Sequence, residues 1–321
     1  MPEGHATADE PRRPQLKPWY RVSTTADGVV LRYGGSVLEI GGHTAVELLP
    51  RLLPLLDGTR TVAEIVAGLG ESTRGAVQEA LRILDDRALL TEAAPAGVPE
   101  APRRTAEFLA ASDAFGRRPA EILATLAATA VCVVGASDVA GLVASLVAGA
   151  GADRLERLDW DDAVPDGALA IVAPTDAEVA RLPAWNERAL GAGTEWMQVL
   201  PFDGLIAAVG PIFVPGQTAC HACYRLRRSA NLSPIRDDAV GAYPGCPAFD
   251  AILAGLAATV ALRRLALADG LAVGVLVAVE RVAELRCSRH FVHRVPRCPA
   301  CSRTSRMAAV SPWQGVAERG D

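Results

Sequence analysis

Lysine is nearly missing from this sequence, where Lys17 stands alone among many arginines, and only 5% of the residues are aromatic. A formal net charge of −5 leaves no global basic excess of the kind that follows phosphate backbones, so nucleic acid is not an expected partner. Nor does any segment offer the ~20 clean apolar residues of a membrane span. The most apolar stretch, residues 251–280, is interrupted by Arg263, Arg264 and Asp269. The opening MPEGHATADEPRRPQ is polar and proline-bearing and has no apolar signal core. The expected location is therefore the cytoplasm, with no membrane partner. Seven cysteines in that reducing compartment argue against a disulfide framework.

What is present is a globular composition. Half of the residues are hydrophobic, and 321 residues are enough for two domains that each bury a core. Residues 1–17 read as a flexible tail and 18–91 as a compact α+β segment. Within it, residues 20–23, 29–33 and 37–40 are short β-type runs, the last set off by Gly34-Gly35. Apolar spacing predicts a helix over 43–56. Thr61 with Glu64 three residues on is a capping box for a helix over 62–69. Val77, Leu81 and Leu84 mark a third helix, starting at Ser72 or Thr73. Three strands followed by three helices suggest a winged-helix-like domain.

Residues 92–104 form a Pro/Ala linker, and residues 92–117 are read as linker plus connecting helix. Beyond it, residues 118–321 alternate strand and helix. The runs AVCVVG (130–135), 155–158 and LAIVA (169–173) are strands, with a helix over 139–150. That alternation predicts a parallel α/β sheet.

Two chemical motifs stand out. Cys220 and Cys223 form one C-x-x-C knuckle, and Cys298 and Cys301 form a second, with 74 residues between them. Two such knuckles complete a closed shell of four thiolates, so the expected metal is one structural zinc. His221, His290 and His293 lie near the knuckles and are expected to be bystanders. The second motif is the loop Gly135 to Gly141 after a strand, where nucleotide-binding folds cradle phosphate. Only Gly135 is well placed there, Asp138 would repel phosphate, and Asp159 stands where a ribose-binding acid would sit.

Together the knuckles and the loop resemble the ThiF-like, ubiquitin-activating-type adenylation fold over roughly residues 118–303. IVAPTDAE (171–178), GPIFVPGQTACHAC (210–223) and ILAGLAATVALRRLALADG (252–270) are similar to its strands and its helix after the crossover loop. Active members also use an Arg and a Lys to hold triphosphate, and residues 161–178 contain neither. Asp176 matches the family's magnesium-associated acid. Cys246 lies near where some members keep a thioester cysteine. The resemblance thus implies a degenerate nucleotide loop (Gly135, Asp159, Asp176), no catalytic residues and no ATP on this chain.

The run LPLLDGTRTVAEIVAGL (53–69) is similar to the peptide-chaperone winged helix of pyrroloquinoline quinone biosynthesis. That order of halves is the arrangement of leader-peptide-binding partners of azoline-forming cyclodehydratases, in thiopeptide or azole-peptide pathways. It implies binding of a precursor leader, presentation to a YcaO-type enzyme, and a homodimer. It also implies a peptide site made of the strand Val37, Leu38, Glu39 and Ile40 and a wall of Val77, Leu81 and Leu84, with Arg74 or Arg82 for an acidic leader. The rival readings are an adenylating enzyme for carboxylates, a nicotinamide-dependent oxidoreductase and a winged-helix transcription factor.

Overall fold

The computed structural model describes residues 12–113, 116–231, 245–268, 270, 272–280 and 286–302. The chain divides into two compact units, residues 1–124 and 125–321, each with its own core. The tail reading for residues 1–17 is too long. Residues 1–11 lie outside the described residues, but Pro14–Leu16 forms β1, paired antiparallel with β5 (Leu90–Glu92). The Arg12 guanidinium fixes this end by a bidentate bond to Asp85 and a 3.2 Å bond to Glu92.

The rest of the first unit begins with an antiparallel sheet ordered β2 (Arg21–Thr25), β3 (Gly28–Tyr33), β4 (Ser36–Gly41). The central strand β3 buries Val29 and Leu31 against the helices. The helix expected over 43–56 is broken into α1 (His43–Glu47), α2 (Leu49–Leu52) and a 3₁₀ turn over Leu53–Leu55. Pro50 and Pro54 each lack the N–H that a continuous helix would use, so the chain restarts at each of them. α3 (Val62–Leu69) carries the expected capping box: Thr61 accepts from the Glu64 N–H, and the Glu64 carboxylate accepts from the Thr61 N–H. α4 (Arg74–Asp86) completes the core with Val77, Leu81 and Leu84. Where a Pro/Ala linker was expected, α5 (Glu100–Ser112) begins, and the boundary between units falls inside α6 (Pro119–Ala128).

Among the described residues the second unit is built on seven strands: β6 (Val131–Val134), β7 (Leu155–Leu158), β8 (Leu169–Val172), β9 (Trp196–Leu200), β10 (Ile206–Phe213), β11 (Val275–Glu280) and β12 (Arg286–Phe291). Their order is β12-β11-β10-β9-β8-β6-β7. β7, β6, β8 and β9 are parallel, whereas β10, β11 and β12 are antiparallel additions, so the sheet is mixed. β6, β8 and β9 are buried at every position, as the continuous apolar runs require of strands covered on both faces. The helices of this unit are α7 (Asp138–Gly149), α8 (Leu182–Ala192), α9 (His221–Asn231) and α10 (Pro247–Leu267). α7 packs on α10, and among the described residues no helix is long and apolar enough to cross a membrane.

Candidate functional site

The two knuckles are brought together from distant parts of the chain. Cys220 precedes α9 and Cys223 lies in its first turn, after a loop in which the Val214 N–H donates to Thr218 Oγ1. Cys298 and Cys301 follow β12, and Arg294 ties that segment back by donating to the Thr218 carbonyl at 2.7 Å. The sulfurs lie 3.9 Å apart for Cys220–Cys223, 3.8 Å for Cys220–Cys298 and 3.6 Å for Cys223–Cys301. A tetrahedron with Zn–S bonds of ~2.3 Å has edges of ~3.8 Å, so the cluster has the size of a zinc shell. Cys220, Cys223 and Cys298 are buried, and the four sulfurs all lie within 4.8 Å of one another. Contact with Cys223 and then burial push the Cys220 thiol up. Cys223 is held down, first by its bond from Cys220 and also by the Val295 N–H. Such a set ionises together only around a cation, and four thiolates are the donor set that zinc prefers.

His221 lies beside this cluster but turns its ring elsewhere. Nδ1 meets Gln198 Oε1 at 2.9 Å, and the ring packs among Trp196, Phe213 and Tyr224. Burial pushes its pKa down to about 4, so the ring is neutral. His290 contacts Ser288 and Glu280, and His293 stacks on Phe291.

The chain order reverses direction between β6 and β8, and in open α/β sheets the ligand crevice lies at the strand C-termini of such a switch point. A cleft of about 160 Å³ opens there, lined by Ser137, Asp138, Thr175, Asp176, Phe202 and Asp250 among others. Small-ligand pockets begin at roughly 300 Å³. Its charge is acidic: burial, then the charges of Asp138 and Asp176, push the Asp250 carboxyl up.

The glycine loop is engaged by the protein itself. Glu178 accepts from the Ala136 N–H at 3.1 Å, from the Thr175 N–H at 2.9 Å and from Trp160 Nε1 at 2.9 Å. Its carboxylate thus occupies a loop amide that a phosphate would use in a nucleotide-binding relative. Burial alone would raise the Glu178 carboxyl, but these donors outweigh it and hold it below the ordinary range. Gly135 has its own structural cause. With φ +112°, a Cβ there would stand 2.2 Å from the Ala173 carbonyl oxygen, so glycine lets β6 and β8 run on closely. Asp159 is exposed beyond β7, away from the cleft lining. The nearest arginines past the missing clamp, Arg181 and Arg188, both pair with Asp161. Glu178 was not foreseen as a site residue. Its signal was Thr-x-x-Glu at 175–178, a capping box that the structure forms in full.

In the first unit β4 pairs only with β3 among the described residues, which leaves Val37, Leu38, Glu39 and Ile40 on an open edge. Val37 is 59% exposed and Glu39 is exposed, while Leu38 and Ile40 pack partly on the core. The proposed wall is placed differently. Val77, Leu81 and Leu84 are all core residues, with Leu81 at the surface margin at 5% exposure. Arg74 pairs with Glu71, and Arg82 bonds Glu79 and Asp86 at 2.6 Å each, so neighbours on or beside the same helix already meet both charges.

No protein-family model matches the chain, and no curated protein does. Solved structures do. A heterocyclase in complex with substrate and cofactor aligns over 91% of this chain with TM-score 0.68 and 22% identity. The heterocyclase TruD aligns over 91% with TM-score 0.65 and 24% identity. This chain spans only 40% and 43% of the lengths of those two proteins. E. coli MccB aligns over 90% of this chain and 97% of its own, with TM-score 0.63 and 14% identity. The chain therefore shares its fold with these heterocyclases and with MccB.

Proposed function

We propose that this chain is a peptide-binding, non-catalytic component of azoline-forming peptide modification. It binds the leader of a ribosomally made precursor and presents the core to a separate YcaO-type, ATP-using cyclodehydratase, where Cys, Ser or Thr side chains close thiazoline or oxazoline rings. The observation that carries this reading is Glu178. A carboxylate of the chain sits on the loop amide where the fold would receive phosphate, beside the acidic group Asp138, Asp176 and Asp250.

The first unit is read as the recognition element. A leader adds as a further strand along β4, with backbone bonds supplying affinity and the sides of Leu38 and Ile40 setting register. Because Val77, Leu81 and Leu84 support the core, the part of α4 open to a leader is its polar flank. Holding the leader raises the effective concentration of the core peptide at the partner enzyme. The zinc cluster braces the second unit and takes no part in chemistry, since four thiolates leave no open coordination position.

The test is titration of a labelled cognate leader against the full chain, together with an assay for ATP hydrolysis and pyrophosphate release. Leader binding without turnover is the expected outcome. One observation favours a second reading, a carboxylate-adenylating enzyme: the chain matches nearly the whole length of MccB, of which one structure is described with ATP. Pyrophosphate release by the chain alone, lost in Asp176→Ala, would transfer the assignment to that reading.

A further inference from the structure

Strand β12 is the outermost strand of the seven-stranded sheet and pairs, among the described residues, only with β11. Arg286, Cys287, Arg289, His290 and Phe291 are all exposed, so residues pointing to both faces of the strand meet solvent. Such an edge offers backbone N–H and C=O groups to an incoming strand. Charge on an edge often serves to repel such pairing, but Phe291 is 72% exposed, and a guarded edge would not display an aromatic ring.

The sign of the surface selects its occupant. From Arg286 to Ser302 the sequence has four arginines, two histidines and no acidic residue, in a protein of net charge −5. Among the described residues the acidic group facing the strand is Glu280 of β11, which stands directly opposite Arg286, accepts from Ser288 and lies 3.7 Å from His290, so one carboxylate meets the whole basic segment. Arg227 of α9 donates to the carbonyls of His293 and Arg294 at 2.6 and 2.9 Å, so the basic ground continues onto a helix anchored at the cysteine cluster. A second copy of this chain is a poor occupant, because pairing two β12 strands brings together two basic segments, neither of which has an acidic residue from Arg286 to Ser302.

We propose that β12 is a strand-addition docking edge for an acidic, extended segment of a separate partner protein. The proposal rests on the reading of this chain as a non-catalytic component, which must hold the enzyme that performs the chemistry. Backbone pairing along β12 supplies affinity, Arg286 and Arg289 select acidic side chains and Phe291 anchors an apolar one.

The test titrates the full, zinc-loaded chain with a labelled peptide of alternating glutamate and valine. A lysine–valine counterpart, an oligothymidine strand and the cognate leader run beside it. The glutamate peptide should bind and slow hydrogen exchange in β12, and the lysine peptide should not bind. Arg286→Glu with Arg289→Glu should weaken glutamate-peptide binding about tenfold or more while zinc content and leader binding stay unchanged. Equal binding of the two peptides, or binding unaffected by the charge reversal, would make the arginines an edge guard only and overturn the proposal. Tighter binding of oligothymidine would overturn it in favour of a phosphate-tracking surface. Should the double variant lose zinc, Phe291→Ser decides, since that exposed ring carries no core packing and unchanged binding ends the idea. A leader that binds while the glutamate peptide does not removes the docking edge alone. The reverse result removes the component reading and leaves the edge.

Discussion

Glu178 does two jobs with one carboxylate: it closes the capping box with Thr175 and occupies the Ala136 amide. Its folded pKa is lowered, so the stability it contributes is present above the unfolded value of about 4.3 and is lost as pH falls through the lower folded value. The wild type should therefore exceed Glu178→Gln by on the order of 1 kcal/mol at neutral pH, and the gap should close in acid. Urea midpoints at the two pH values check this, and a gap that widened on acidification would contradict the assignment. Gly135→Ala forces a Cβ to 2.2 Å from a backbone oxygen at φ +112°. It should cost about 3 kcal/mol, read as a lowered urea midpoint, because backbone cannot yield as a side chain can. Cys298→Ser opens the thiolate shell. It should remove the metal, expected at one zinc per chain by elemental analysis, and cost on the order of 10 kcal/mol in the second unit.

Between elements, the relation of β4 to α4 decides how peptide binding is probed. Leu81 is 5% exposed, so Leu81→Asp buries an unpartnered carboxylate and should destabilise the first unit by several kcal/mol, roughly 3 or more, whatever happens to a leader. It reports on folding, not on binding. Val37 is exposed on the open strand and carries no core packing of that kind. Val37→Asp should change stability by less than about 0.5 kcal/mol and weaken leader binding roughly tenfold, measured by anisotropy against a thermal melt. If leader affinity is untouched in Val37→Asp, β4 is not the receiving strand. The same comparison explains part of what the sequence concealed. Apolar spacing at 77, 81 and 84 identifies the buried face of a helix, but a face that lines a groove and a face that fills a core have the same period.

At the scale of the molecule, the two units carry separate cores, and different properties should fail independently. Removing zinc with a strong chelator should unfold the second unit and leave the helical and sheet signal of residues 12–124 in place. Circular dichroism of the treated chain, compared with that of the fragment, checks this. The full chain should show no ATP turnover above background, for the Glu178 carboxylate already takes the Ala136 amide of the glycine loop, and the crevice at the strand ends is lined by Asp138, Asp176 and Asp250.

Much of this was written locally. The capping box at Thr61, the continuous apolar strands β6 and β8, and the two cysteine knuckles are each short-range patterns whose chemistry admits few structures, so the chain alone determined them. The absence of Lys and Arg from 161–178 was equally plain. Other features depended on partners far along the chain. Pro14–Leu16 looked like tail because its strand partner lies at residues 90–92. The antiparallel strands β10 and β11 carry no mark of their direction, since a buried apolar run is the same in either sense. The approach of Glu178 to Ala136 spans 42 residues and follows from β6 and β8 lying side by side. Residue type and spacing determined the four-cysteine cluster and the strands. Only tertiary packing decided which glycine was needed for contact, which leucine was core and which amide was already taken, because each turns on distances between segments the sequence keeps apart.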